Sequence, residues 1–323
     1  MSDAFAFPAA CPCEPLFFTR HYAEAIWGGD RIARQYARKD APPACSESWE
    51  LSAHPSFPAE VECGKYAGAR LDALASAFGA EFTGSAAPNP ASFPLLFKII
   101  DARERLSVQV HPDDASAPAV GGEAKSECWL VLDAAPGAAI YAGLVPGTTR
   151  SALEDAVRNG DPSPLLKRVE VKRGDLIYIP GGTVHAIDAG CLVYEVQQSS
   201  DTTYRFYDWG RKGADGKPRT LHIDEGLAVT SFSSSAPEPV RASEGLRTPH
   251  FSIREHSVDA ASQFSTEGRS FQAFFVESGE AEISAGGVSV RAPAGRTVLI
   301  PAKAESATVA PVSARSIVIR ATL

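Results

Sequence analysis

Gln109 and His111 stand two residues apart in the apolar run Leu106-Ser-Val-Gln-Val-His-Pro-Asp-Asp-Ala115. A strand sends successive side chains to opposite faces, so these two polar groups point the same way. An amide and an imidazole aimed together suit either an exposed polar face or a metal or substrate site. The second reading needs further groups from elsewhere in the chain. His185 is a candidate, because it closes Pro180-Gly-Gly-Thr-Val-His185 directly after Gly174-Asp-Leu-Ile-Tyr-Ile-Pro180. A hairpin with a glycine turn places a strand-end histidine into the mouth of a barrel, where ligand sites tend to form.

The elements that must position these residues are mostly short strands. Residues 95–100, 106–110, 128–132, 176–179 and 192–196 are rich in Val, Ile, Leu and aromatics and are bounded by Gly, Pro or Asp. Many such segments with turn signals between them predict a sandwich or barrel. Helical rhythm is confined to residues 70–78 and 151–159, the latter closed by Gly160. An internal echo suggests a duplicated β-domain: Gly174-Asp-Leu-Ile-Tyr-Ile-Pro180 matches Gly295-Arg-Thr-Val-Leu-Ile-Pro301, and Cys128-Trp-Leu-Val-Leu132 pairs loosely with Ala273-Phe-Phe-Val-Glu277. The Ser- and Pro-rich stretch Ser231-Phe-Ser-Ser-Ser-Ala-Pro-Glu-Pro239 reads as a linker, giving domains 1–239 and 240–323. All the candidate chemistry precedes it. The later segment has no histidine after His256 and no dense polar cluster in sequence, so it is expected to be structural.

The chain has 323 residues, 44% of them hydrophobic and 22% charged, as in ordinary globular proteins. A net charge of −8 without a basic block argues against nucleic acid as a partner, although local Lys and Arg can still receive an anionic small molecule. The start, Met1-Ser-Asp-Ala-Phe-Ala-Phe-Pro, lacks the basic and apolar regions of a secretory signal. No stretch approaches the ~18 apolar residues of a membrane span. The six cysteines show no disulfide framework, and Cys11-Pro-Cys13 is too close-set for a zinc knuckle. Reduced thiols in a cytoplasmic protein are expected, with Cys128 and Cys191 buried.

Read from Gly174, the order Gly, Pro180, Gly182, His185 resembles the second motif of the cupin superfamily; Ala189 replaces the later Asn of that motif. The first motif, His-X-His followed by Glu, is altered here to Gln109-Val-His111, with Glu127 in Lys125-Ser-Glu-Cys-Trp129. Gln-X-His-Pro, then Lys-X-Glu, then a distant His is similar to the type I mannose-6-phosphate isomerases in their compact bacterial form. Ile26-Trp-Gly-Gly29, Glu47-Ser-Trp-Glu-Leu-Ser-Ala-His54, Leu96-Phe-Lys98 and Gln198-Ser-Ser-Asp-Thr-Thr-Tyr-Arg205 extend the resemblance over residues 20–225. From about residue 240 the chain resembles only a degenerate cupin.

The resemblance implies an all-β molecule of two cupin-like jelly-roll barrels, with short helical insertions in the N-terminal part and no metal in the smaller C-terminal barrel. It implies one Zn²⁺ per chain, held by Gln109, His111, Glu127 and His185. It further implies interconversion of mannose 6-phosphate and fructose 6-phosphate by proton transfer through a cis-enediol, in a cytoplasmic enzyme with a hexose phosphate as its partner and neither nucleic acid nor membrane. A monomer is favoured. Arg205 is the first candidate to stabilise charge, because its guanidinium is always protonated and forked. Lys125, Glu195 and Asp201 are the other catalytic candidates; Glu195 or Asp201 is preferred as base over a lysine, whose pKa would have to fall. Lys98 and Trp27 are candidate substrate contacts. Alternatives are a solvated strand-edge role for Lys98, a structural ion pair for Arg205 and Asp201, and structural roles for His21, His222, His250 and His256. The role of His54 is open. Ala124 stands where some family members carry a histidine, so no proton transfer can be assigned there. Rival functions are a sugar-phosphate-binding cupin without turnover and another metal cupin such as an iron dioxygenase, which would prefer an intact His-X-His.

Overall fold

The structure, a computed structural model, describes residues 8–213, 216–233 and 236–323. The start of the chain read above for a signal, residues 1–7, and Ser234 and Ser235 of the expected linker lie outside the described residues. The expected strands and both expected helices form, and the protein is built mostly from antiparallel strands in four sheets. No helix among the described residues is long and apolar enough to cross a membrane. Cys128 and Cys191 are fully buried, and none of the six cysteines forms a disulfide.

Contacts divide the chain into two compact units. One contains Tyr22–Ser48 and Lys98–Arg241; the other gathers the described residues up to His21 with Trp49–Phe97 and Ala242–Leu323. The units are therefore discontinuous, whereas a cut near Pro239 would divide the chain once. The reason lies in long-range backbone pairing. Ala86 N–H donates to Arg269 O at 2.8 Å and Phe271 N–H to Thr83 O at 3.2 Å, while the Phe93 and Phe271 rings meet at 4.6 Å. Gly84, at φ +101°, lets the backbone of Arg269 and Ser270 pass where a Cβ would stand 2.3 Å from the Arg269 carbonyl. No local pattern announces such a contact.

The unit containing Lys98–Arg241 has two sheets. The larger orders its strands Val240–Arg241, Asp175–Ile179, Glu127–Ala134, Cys191–Gln198, Leu95–Ala102, His21–Gly29 and Cys45–Leu51. The smaller runs Tyr204–Tyr207, Val108–Val110, His185–Ile187, Ala139–Leu144 and Leu166–Glu170. Alternation sets what each face does. Val108 and Val110 join Leu153, Val157, Phe206 and Leu227 in a cluster beneath the helices Arg150–Asn159 and Ile223–Val229. Gln109, between the two valines, must face the other way. Helix Arg150–Asn159 buries Leu153 and Val157, one turn apart, and its N-cap Thr149 accepts a hydrogen bond from Ala152 N–H.

Arg31 ties several segments of this unit together. It pairs with buried Asp101 at 2.7 Å and donates to the carbonyls of Gly190 and Cys191 at 3.0 and 2.6 Å. Asp101 is fully buried and Arg31 only 15% exposed, so removing the cation would strand a carboxylate in the interior. Arg31→Met is expected to lower stability by about 3–5 kcal/mol. Urea unfolding would show it, and a loss below about 1 kcal/mol would mean that water reaches Asp101.

In the other unit, a six-stranded sheet orders Leu16–Phe17, Thr297–Ile300, Gln272–Ser278, Ser316–Thr322, Ser252–Val258 and Leu246–Arg247. A four-stranded sheet orders Ser262–Ser265, Ser306–Pro311, Glu280–Ala285 and Val288–Pro293. Phe274, Val276, Ile283, Val298, Val309 and Val318 form its core. Both members of the sequence echo are antiparallel pairs: Cys128 lies opposite Tyr178, and Ala273 opposite Leu299. Arg247, Arg254, His256 and Arg320 line one cavity, so this unit does carry a polar cluster. Its members are scattered over some seventy positions and meet only through strand pairing, which hid them from a linear reading.

Candidate active site

Strand register assembles the first group of residues. Gln109 lies opposite His185 on one side and opposite Arg205 on the other. Directly opposed residues share a face, so three polar side chains stand in a row across the smaller sheet. In the larger sheet Glu195 lies opposite Trp129, and Glu127 opposite Gln197. Gln109, Lys125, His185, Glu195, Asp201 and Arg205 line one cavity of about 360 Å³, together with Trp27, Lys98 and Trp129. That is room for a small polar metabolite.

His111, Glu127 and His185 each bring one ligand atom within 4.8 Å of the others, and all three are buried. Backbone carbonyls fix the two imidazoles: His111 Nδ1 lies 2.8 Å from Thr202 O, and His185 Nδ1 lies 2.8 Å from Thr183 O. Each Nδ1 thus carries the proton, and each Nε2 presents a lone pair. Neither carboxylate oxygen of Glu127 accepts a well-aligned hydrogen bond. The nearest cation is Lys125 Nζ, 2.8 Å from Glu127 Oε2 and 2.9 Å from His111 Nε2. A buried carboxylate and two imidazole lone pairs converging on one place form an acceptor surplus that suits a divalent cation. Gln109 places Nε2 3.3 Å from His185 Nε2 and Oε1 3.2 Å from Ser107 Oγ, so it would offer an oxygen to the same place only with its amide turned over.

Residues 16–129 match the family model for the type I phosphomannose isomerase catalytic domain. A mannose-6-phosphate isomerase of Streptococcus mutans is 41% identical over 224 residues, covering 69% of this chain and 70% of its own. The chain belongs to the mannose-6-phosphate isomerase family. The crystal structure of the Bacillus subtilis mannose 6-phosphate isomerase superposes with a TM-score of 0.85 at 28% identity, covering 96% of this chain and 100% of its own. A zinc-bound mannose 6-phosphate isomerase shares the fold at a TM-score of 0.71 and 17% identity, over 95% of this chain and 99% of its own.

In this member of the mannose-6-phosphate isomerase family, burial shifts the two imidazoles, Lys125 and Glu195. Burial drives the His111 imidazole well below its usual range, and the Lys125 ammonium adds to the effect. Burial also pushes His185 down to about 4. Burial opposes the charge on Lys125, yet the Glu127 and Glu195 carboxylates outweigh it and hold the ammonium above its ordinary range. A lysine held in that way is a proton donor or fixed cation and a poor base. Glu195 is raised above the carboxylate range, chiefly by burial and then by Glu127, against the pull of Lys125 and Lys98. Trp129 Nε1–H donates to Glu195 Oε2 at 2.8 Å, while Oε1 has no hydrogen-bond donor.

The neutral imidazoles make stability depend on acid. A histidine whose folded pKa lies below its unfolded value contributes fully above that unfolded value, near 6.5, and its contribution is lost as the pH falls toward about 4. For His185 alone the loss amounts to about 3 kcal/mol. Chelated protein is therefore expected to show a falling urea midpoint between pH 6.5 and about 4, and the fall should shrink in His185→Gln. An unchanged slope in that variant would count against a neutral buried His185.

Lys98 is 4% exposed and lies 3.2 Å from Glu47 Oε2 and 3.9 Å from Glu195 Oε1, so it is not a solvated edge lysine. Arg205 and Asp201 form no ion pair with each other. Arg205 donates to Ser107 Oγ and Thr220 O at 3.2 and 3.0 Å, and Asp201 stands exposed at the cavity rim. Trp27 is both core and cavity wall. His222 accepts from Arg205 N–H at 3.3 Å, and the His21 ring stacks on Phe57 at 3.5 Å, both structural roles. His54 meets Trp49 edge-on and accepts from Ser56 N–H, also a structural placement. Among the lining residues given no site role from the sequence are Glu47, Ser107 and Arg219. Ser107 shares its parity with Gln109 and could have been found that way. Arg219 had no local signal, because Asp208 positions it through a 2.7 Å contact with its Nε.

Proposed function

We propose that the chain interconverts mannose 6-phosphate and fructose 6-phosphate by proton transfer through a cis-enediol, using one zinc ion held by Gln109, His111, Glu127 and His185. The observation that carries this reading is the buried His111–Glu127–His185 cradle, whose His185 lines the same cavity as Glu195 and Arg205. Nitrogen and oxygen donors without thiolate suit a catalytic zinc that keeps a position open. When bound, the ion supplies Lewis acidity toward the substrate oxygens at which negative charge develops.

The chain's own groups divide the remaining work. Glu195 is the base that moves the proton between adjacent substrate carbons. Its raised pKa brings it toward the working pH, and its Oε1 is the oxygen left open while Trp129 holds the other. Asp201, exposed at the rim, is the weaker candidate for that role. Lys125, held protonated by its carboxylate neighbours, offsets the charge of the enediol oxygens, and Lys98 lines the same cavity. Arg205, fixed by Ser107 and Thr220, presents its remaining N–H groups to the phosphate or the developing oxyanion, and Arg219 adds a second cation on the same wall. Trp27 closes an apolar side of the cavity against water.

A coupled assay that follows fructose 6-phosphate formation with and without chelator tests the whole reading. Turnover should vanish on chelation and return with zinc. Full metal occupancy without isomerisation of any hexose or pentose phosphate would reduce the protein to a binding cupin.

A further inference from the structure

The unit containing Ala242–Leu323 has a cavity of about 390 Å³ that shares no lining residue with the proposed active site. Strand register explains its chemistry. Arg254 lies opposite Arg320, Ser252 opposite Thr322, and His256 opposite Val318. Arg320 also lies opposite Phe274 across the next strand. Phe274 and Val318 belong to the hydrophobic core, so this row of side chains lies on the interior face of the sheet. Toward one end of the strands that face changes from apolar to cationic.

Two arginines directly opposite one another repel, and such pairs destabilise a sheet unless something offsets them. Among the described residues, no carboxylate forms an ion pair with Arg247, Arg254 or Arg320, although Glu244 also lines the cavity. Each inner guanidinium is held along one edge. Arg254 Nε donates to Ser243 O at 2.9 Å; Arg320 Nε donates to Gln272 Oε1 at 2.8 Å, and its Nη2 to Ser265 O at 3.1 Å. Among the described residues, both terminal nitrogens of Arg254 and Nη1 of Arg320 keep donors without an acceptor. Phe264 steers two of the groups, with the His256 ring against it edge-on at 4.8 Å and the Arg320 guanidinium over it at 5.6 Å. Among the described residues, none forms a hydrogen bond with the His256 ring nitrogens.

We infer that this cavity is a second ligand site, which binds a phosphomonoester dianion between Arg254 and Arg320. Two fixed positive charges match a dianion, and a phosphate group offers three terminal oxygens. The donors left are both terminal nitrogens of Arg254, Nη1 of Arg320, a neutral imidazole N–H and the hydroxyls of Ser252 and Thr322. They exceed what the two oxygens of one carboxylate can accept. Burial and the neighbouring arginines push His256 down to about 4, so the free site holds a neutral ring whose field a bound dianion would reverse.

The test uses the full-length protein with ¹⁵N-labelled histidine, the His256 signals being identified from a His256→Gln sample. Inorganic phosphate and, separately, malonate are titrated in at neutral pH. The inference requires a saturable shift of the His256 nitrogens with phosphate in the millimolar range, with an upward-moved His256 titration, and a response at least ~10-fold weaker in Arg254→Gln. Arg254 is exposed, so that variant keeps the fold; Arg320→Gln serves as a second removal of charge. An absent or non-saturating shift would overturn the inference. So would an equal response to malonate, which would make the site a general anion patch, or a wild-type response in Arg254→Gln. His256 lines this cavity and not the proposed active site, so the readout does not depend on the isomerase reading.

Discussion

Replacing Glu195 with glutamine is expected to lower kcat by ~10²–10⁴-fold while leaving KM and zinc content close to those of the parent. The substitution keeps the shape of the side chain and the Trp129 contact, which needs only an oxygen acceptor, but removes the group that can take a proton. Glutamine also carries no charge to hold Lys98, whose Nζ stands 3.9 Å from Glu195 Oε1, and Glu47 at 3.2 Å keeps that lysine paired. Steady-state kinetics with metal analysis of the same sample would check the result. The pH profile gives a second reading. Glu195 is held above the carboxylate range in the protein, so the acid limb of kcat/KM should lie higher than an ordinary glutamate would give, and it should disappear in the variant. If Glu195→Gln kept most of its activity while Asp201→Asn lost it, the base would be the exposed aspartate at the rim.

His185→Ala is expected to release the metal altogether and to cost about 10³-fold or more in kcat. The ring is one of only two imidazoles in the cradle, and its Nδ1 bond to Thr183 O preorganises Nε2 for coordination. Deleting it also leaves Glu127 Oε1 without its neighbour at 3.2 Å. Lys125, already 2.8 Å from Glu127 Oε2, should then neutralise the carboxylate, so the protein should stay folded while losing its metal. Elemental analysis after gel filtration, set beside circular dichroism, separates the two effects. Full occupancy in His185→Ala would mean that the metal is held elsewhere.

Much of the site was legible before any coordinates, because strands impose a strict alternation. Gln109 and His111 had to share a face, and the apolar residues on either side of Gln109 told which face was core. The glycine turn ahead of His185 marked a strand end. The resemblance to the isomerase family joined these local signals to Glu127, Glu195 and Arg205, which no spacing links to the first strand. Lys98 shows the limit of the linear reading, since a lysine in a strand can be solvated or buried. Only the placement of Glu47 and Glu195 around it decides for burial. Lys125 shows the same limit in its charge state. Sequence asked whether its pKa could fall, and the two nearby carboxylates hold it up.

By itself, then, the sequence determined the strand-rich architecture, the positions of the helices Leu71–Phe78 and Arg150–Asn159, and the histidines on which a metal site could be built. These features follow from local periodicity and turn chemistry, which neighbouring residues carry. The tertiary structure alone decided the rest: the grouping of residues 49–97 with the C-terminal segment, the recruitment of Arg219 through Asp208, and the meeting of Arg254 with Arg320. Each of these depends on strand register or backbone approach between distant segments. Register is set by how whole faces pack, and that information is spread over the chain.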